Sequence, residues 1–348
     1  MNYLKVAVLF GGNSTEHGVS CLSAASVLRN INKDYEVLKI GITNSGAWFV
    51  TTAAPDQIEK GEWETLNNSP VLLSPNDGAF VFGTETFKPD VVFPVLHGKN
   101  GEDGTIQGLF EIIGMPYVGS RVLGTALCMD KAYTKIVFEK AGILQADWVT
   151  VERSDFLKGF EPIKVNLQKL DFPVFVKPSN AGSSFGVTKC NTVDDVENAL
   201  KIAFEIDRRA IVESGVKNPV ELEVAVYGND EPVSTVSGKI LSANEFYDYN
   251  AKYVNEKSKT VAPSGFENET ELRKIAVDAY KACDCKGLSR VDFLVDGNSG
   301  KIYLNEINTI PGFTSISMFP KLCEVSGLSY QNLIEKLLTL AIEFEKEK

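Results

Sequence analysis

No run of apolar residues in this 348-residue chain approaches the roughly 20 needed to cross a bilayer, so no membrane role is expected. Histidine is scarce: His17 and His97 are the only two. The six cysteines, at 21, 128, 190, 283, 285 and 323, contain no CxxC pair and make no disulfide framework. Cys283 and Cys285 have no histidine near them in sequence to complete a four-ligand zinc site. The thiols read as structural side chains of a protein in a reducing cytoplasm. Positive charge is also short, with 35 Lys and Arg against 46 Asp and Glu; a net charge of -11 argues against a nucleic-acid partner. The GxxxxGK[ST] loop is absent, as is GxGxxG after the first strand. If such a chain handles phosphate, it must supply local cations or metal ions where the phosphate sits.

What is present is 44% hydrophobic and 23% charged, in a length that calls for more than one core. The start carries one lysine and a short apolar stretch that enters Gly11-Gly12-Asn13 with no signal-type cleavage region. A strand over residues 5–10, a helix over about 20–31 and a strand over 35–42 predict a parallel α/β unit, with Ser20 and Ser23 as helix N-cap candidates. A strand over 90–96 runs into a turn-rich segment from His97 to Gly104, placed where open α/β sheets bind ligands. After a helix over about 130–141 the pattern shifts to strands at 172–177, 210–213 and 221–227. The expected division is 1–129, 130–213 and 214–348, ending in an amphipathic surface helix over about 329–348. No internal repeat or low-complexity segment stands out.

Residues 289–295 and 301–308 flank the turn Asp296-Gly297-Asn298-Ser299-Gly300 and predict a hairpin. Period-two geometry puts Arg290, Asp292 and Leu294 on one face, with Glu306 and Asn308 also sharing a face. A turn centred near Ser299 sets Asp292 opposite Glu306 to within a residue. Two carboxylates and an amide suit a hard divalent cation such as magnesium. A solvated hairpin has the same pattern; the hydroxyl-rich Pro-Gly turn that follows, through Ser317, favours the metal. Elsewhere a strand delivers Lys177, and the segment Ser179-Asn180-Ala181-Gly182-Ser183-Ser184-Phe185-Gly186 follows it. That loop fits a phosphate clamp and an unliganded hairpin turn equally well.

Together these segments resemble the D-alanine:D-alanine ligase family of the ATP-grasp superfamily over nearly the whole chain. The carrying motifs are Gly11-Gly12-Asn13-Ser14-Thr15-Glu16-His17, Phe93 to Gly98 with Gly101-Glu102-Asp103-Gly104, Met129-Asp130-Lys131, Val176-Lys177-Pro178 with Gly182-Ser183-Ser184, Phe246-Tyr247-Asp248-Tyr249 with Lys252-Tyr253, and the hairpin. The resemblance implies a three-domain ATP-grasp fold, α/β and α+β, with a parallel α/β N-terminal domain. It implies ATP-dependent joining of two D-alanines through an acyl phosphate, for peptidoglycan precursor synthesis. Magnesium, replaceable by manganese, would sit on Asp292, Glu306 and Asn308. Lys131, Lys177, Ser183, Ser184, Glu213, Glu221, Lys252 and Asn305 would serve the nucleotide. Glu16, tied to Ser183 and Tyr253, would take the ammonium of the first D-alanine, with His97 nearby. Arg290 and the Gly312 N–H would stabilise the oxyanion, Ser317 and Met318 would receive the second substrate's carboxylate, and a cytoplasmic homodimer would be usual.

The chain departs from the family at Gly18, where an acidic residue is usual, which removes a charge near the expected first-substrate pocket. Ser214 replaces the adenine-hinge lysine of some relatives. Lys252-Tyr253 argues against a D-lactate product and Met318 against the resistance-type enzymes. The alternatives are a D-Ala-D-Ser or other carboxylate-amine ligase, and a non-catalytic nucleotide-binding protein.

Overall fold

The strand Lys5–Gly11 is fully buried from Val6 to Phe10, as suits a strand covered on both faces. In this computed structural model, which describes residues 3–241 and 259–347, it lies parallel to both Glu36–Ile42 and Val91–Val95. The helix His17–Asn30 links the first two strands. Short antiparallel strands, Trp48–Val50 and Ser69–Pro70, extend that sheet at one edge.

The expected N-caps are corrected. The helix begins at His17 with Glu16 in the cap position, so Ser20 and Ser23 lie inside it. Their hydroxyls reach other elements. Ser20 Oγ accepts the Gly11 N–H at 2.8 Å and donates to the Val95 carbonyl, tying together the ends of two parallel strands. Both backbone groups are buried and need such a partner.

A second, antiparallel sheet follows the order Thr188–Cys190, Val174–Pro178, Arg209–Ser214, Trp148–Glu152. Val193–Ile206 covers it with Val196, Ala199, Leu200 and Ala203, spaced as one helix face. A third sheet runs Lys259–Val261, Val233–Leu241, Pro219–Gly228, Gly287–Asp296, Ile302–Asn308, all antiparallel. Glu269–Ala282 packs on it through Leu272, Ala276, Ala279 and Tyr280. A parallel α/β portion followed by antiparallel sheets is the expected α/β and α+β combination.

The last helix, Tyr330–Glu347, is more than a surface element. Leu333, Ile334, Leu337 and Leu338 are buried in one core with Val6, Val8, Phe10 and Val95 of the first sheet. The end of the chain thereby returns to its beginning. All six cysteines are free and buried. Among the described residues no helix is long and apolar enough to cross a membrane.

Candidate active site

A cleft of about 660 Å³ opens where the loops after the first sheet meet the second and third sheets. One wall is the hairpin of Gly287–Asp296 and Ile302–Asn308. Arg290 pairs with Asn308 and Asp292 with Glu306, as a turn centred on Ser299 requires. Beyond Asp292 the register shifts, because Phe293 faces Leu304 and leaves Asn305 as an extra residue. This bulge interrupts the alternation that would turn Asn305 away from Glu306, and both line the cleft.

Arg290 grips Asp292 with two bonds of 2.7 Å, from Nε to Oδ1 and from Nη2 to Oδ2. The Asn308 amide donates to Asp292 Oδ2 at 2.9 Å. On the next strand Glu223 pairs in register with Asp292, and its carboxylate lies 3.2 Å from Arg290 Nε. No three or more His, Cys, Asp or Glu side chains group at metal-ligand spacing among the described residues. Magnesium rarely uses an all-protein cage; one or two carboxylates plus substrate phosphates suffice. Asp292 and Glu306 with the Asn308 amide fit that requirement.

The opposite wall carries the cations. Lys177, from Val174–Pro178, meets Glu213 Oε2 at 2.6 Å, and Lys135 pairs with Oε1 of the same carboxylate. Burial alone would raise the Glu213 pKa, but the two lysines outweigh it and hold it at about 2. Burial lowers the Lys135 pKa and the nearby Lys177 charge adds to that, whereas Glu213 raises Lys177 against its own burial. Lys131 Nζ donates to the Ala181 carbonyl of the glycine loop at 2.6 Å. Asp130 caps the helix Lys131–Lys140 by accepting from the Ala132 and Tyr133 N–H groups, which sets the entry of Lys131. Glu221, on Pro219–Gly228, also faces the cleft.

Ser183 and Ser184 both adopt left-handed backbone, with φ of 51° and 57°, which is uncommon for residues with a side chain. That turn lets Ser183 donate to Glu16, joining the loop to the start of the first helix. His97, 4% exposed, has both ring nitrogens engaged: Nδ1 with the Ile310 carbonyl and Nε2 with Ser23 Oγ, each at 3.0 Å. A carbonyl only accepts, so Nδ1 carries the proton and the ring is neutral, in keeping with a pKa lowered by burial. Gly312 lines the cleft beside Ser317, whose Oγ accepts the Thr314 N–H at 3.0 Å. Ser317 is the N-cap of the helix Met318–Val325. The Met318 side chain is packed against Gly238 and the residue is buried.

The description "D-ala D-ala ligase N-terminus" fits residues 5–120, and "D-ala D-ala ligase C-terminus" fits residues 137–339. The chain belongs to the D-alanine:D-alanine ligase family. It is 51% identical to the D-alanine--D-alanine ligase of Clostridium acetobutylicum, with 97% of each chain covered. To that of Thermoanaerobacter sp. (strain X514) it is 48% identical, covering 100% of this chain and 99% of the relative. Among solved structures, VanG D-Ala:D-Ser ligase from Enterococcus faecalis superposes with a TM-score of 0.89 at 41% identity, over 98% of this chain and 100% of that one. The D-alanine-D-alanine ligase from Coxiella burnetii gives 0.87 at 32% identity, over 100% and 96%. The ATP-grasp architecture of the D-alanine:D-alanine ligases is therefore the fold of this chain.

Every site residue expected from likeness to the ligase family lines this one cleft except Lys252 and Tyr253, which lie outside the described residues together with residues 246–249. Gly18 does not line it. It is exposed on the first helix, and a Cβ there would meet nothing within 4 Å. Ser214 borders the cleft and its Oγ accepts the Asp171 N–H at 3.0 Å. Three contributors were not expected in the site from the sequence: Lys135, Glu223 and Ser23, the last read only as a helix cap. The first two carry a simple signal, since Lys135 is one helical turn past Lys131 and Glu223 shares a strand face with Glu221. Ser23 carries none, because its partners are 74 and 290 residues away.

Proposed function

We propose that the chain is an ADP-forming ligase that condenses two D-alanines into D-alanyl-D-alanine, for peptidoglycan precursors, in the cytoplasm and as a homodimer. A carboxylate anion resists attack by an amine, so ATP first converts it to an acyl phosphate. A carboxylate oxygen of the first D-alanine attacks the γ-phosphorus and ADP leaves. The amine of the second D-alanine then attacks the acyl carbon, phosphate departs, and the amine sheds a proton.

Carrying this reading is the meeting, in one cleft, of the acidic hairpin with the Lys131, Lys177 and Ser183 wall. Lys131 and Lys177 balance the nucleotide's phosphates, with Ser183 and Ser184 beside them and Glu213, Glu221 and Asn305 on the nucleoside side. Asp292, Glu306 and Asn308 would hold magnesium or manganese, which when bound offsets charge on the transferring phosphoryl group. Glu16, oriented by Ser183, takes the first ammonium, and His97 stays beside it as a neutral neighbour. Arg290 and the Gly312 N–H answer the oxyanion of the tetrahedral intermediate. Ser317 and the N-terminal N–H groups of the helix Met318–Val325 suit the second carboxylate, since helix N-termini favour anions. Lys252 is assigned to the γ-phosphate and Tyr253 to the tie with Glu16 and Ser183.

The test is ADP release measured with magnesium and each of D-alanine, D-serine and D-lactate. D-Alanine alone should support turnover and yield D-alanyl-D-alanine. Preference for a D-alanine and D-serine mixture would move the chain to the D-Ala-D-Ser reading, and no release with any of them would leave only nucleotide binding.

A further inference from the structure

The loop that carries Gly312 is held at its backbone by side chains from the first sheet's end of the molecule. Glu102 Oε1 accepts the Ile310 N–H at 3.1 Å, and His97 Nδ1 donates to the Ile310 carbonyl at 3.0 Å. The Ile310 peptide groups are therefore gripped from both sides by residues more than 200 positions earlier in the chain. Ser23 Oγ accepts the Phe313 N–H at 3.2 Å and donates to His97 Nε2. Tyr330 Oη donates to the Phe313 carbonyl. Pro311 has no N–H to offer. Among the described residues the Gly312 N–H has no acceptor, although its neighbours on both sides are tied.

Glu102 is itself anchored. Its second oxygen, Oε2, accepts the Gly98 N–H at 2.8 Å, so one carboxylate spans the turn after the first sheet and the loop after the hairpin. Gly98 also touches Glu16: a Cβ on it would lie 2.4 Å from Glu16 Oε2. The residue assigned to the first substrate's ammonium and the clamp on the oxyanion loop thus meet at one glycine.

We propose that Glu102, with Ser23 and His97, is a positioning residue for the second chemical step, holding residues 310–313 so that the Gly312 N–H is aimed at the developing oxyanion. This rests on the ligase reading above. Glu102 touches no reacting atom in this account; it acts through the Ile310 backbone. Full loss of one oxyanion donor lowers turnover by about 10²–10³. Loosening its support should cost less, about tenfold or more.

The experiment compares wild type with Glu102→Gln and Ser23→Ala. Glutamine keeps one acceptor oxygen but turns an N–H donor toward the other backbone N–H. Ser23→Ala removes the Phe313 and His97 bonds and leaves Glu102 in place beside Glu16. Three quantities are read for each: kcat for ligation, KM for ATP, and the D-alanine-dependent scrambling of isotope in ATP that reports acyl phosphate formation alone. The clamp predicts that kcat falls about tenfold or more in both variants, with KM for ATP and isotope scrambling within about threefold of wild type. Unchanged kcat in a folded Ser23→Ala protein overturns it. So does an equal fall in scrambling and ligation, which marks general damage to the site. Should Glu102→Gln melt before assay, Ser23→Ala decides alone. A wild-type protein that releases no ADP with D-alanine overturns the ligase reading itself, a result distinct from either variant outcome.

Discussion

Replacing Glu213 with glutamine removes the carboxylate that two lysines share in the cleft wall. Glu213 is 4% exposed and Lys135 2%, and each carboxylate oxygen serves one ammonium. Glutamine keeps an oxygen for one lysine and presents an N–H donor to the other. Removing one partner of a buried pair costs about 3–5 kcal/mol. The lower end is expected, because the Lys177 side chain is 16% exposed to the cleft and can regain water. About 3 kcal/mol corresponds to a melting midpoint lower by roughly 4 °C in a chain of this size. The pH dependence supplies a second check. The native Lys135 pKa already lies below 10.5 because of burial, and without Glu213 it falls further, with Glu306 the remaining acidic neighbour. Between the native and unfolded pKa the folded state binds fewer protons, so stability rises with pH. The deficit of the variant should therefore shrink as pH is raised toward 10.5. In wild type the sign is the same at the acid end: Glu213 contributes fully above 4.5, and the contribution is lost as pH falls through about 2. Thermal melts of both proteins at neutral and alkaline pH are the assay. A midpoint at neutral pH within about 1 °C of wild type would refute the reasoning, since the buried Lys135 cannot lose its counter-charge at no cost.

Asp292→Asn keeps the shape of the hairpin but removes a charge proposed to hold the metal, and ADP release at saturating magnesium should fall by at least about 10²-fold. Ser20→Ala leaves the Gly11 N–H and the Val95 carbonyl without their side-chain partner; urea unfolding should show a loss of about 1–3 kcal/mol. Gly18→Ala adds a methyl where nothing lies within 4 Å, on an exposed helical position, and should raise stability by about 0.4–1 kcal/mol with KM for D-alanine unchanged.

Local pattern carried much of the fold. The strand Lys5–Gly11 was legible because an unbroken apolar run suits a doubly covered parallel strand. The hairpin register was legible because cross-strand partners are equidistant from the turn centre, and Asp292 does face Glu306. The bulge at Asn305 was not, since one inserted residue leaves no mark on composition. Ser20 and Ser23 were misjudged as caps because serine before a helical pattern looks the same whether its hydroxyl meets its own helix or a strand 75 residues away. The amphipathic pattern of Tyr330–Glu347 showed that one face is buried but not against what; the first sheet supplied the partner. In the site, the roles of Lys177 and Asp292 were suggested by their motifs, whereas the Glu102 and Ser23 bonds to residues 310 and 313 span 208 and 290 positions and exist only in the folded chain.

The central claim is that ATP activates the carboxylate of D-alanine. It is tested most directly by turning over D-alanine labelled with heavy oxygen in its carboxylate and analysing the released phosphate by mass spectrometry. An acyl phosphate requires labelled oxygen to leave with phosphate, in step with D-alanyl-D-alanine formation. Dipeptide formed with unlabelled phosphate would contradict the account.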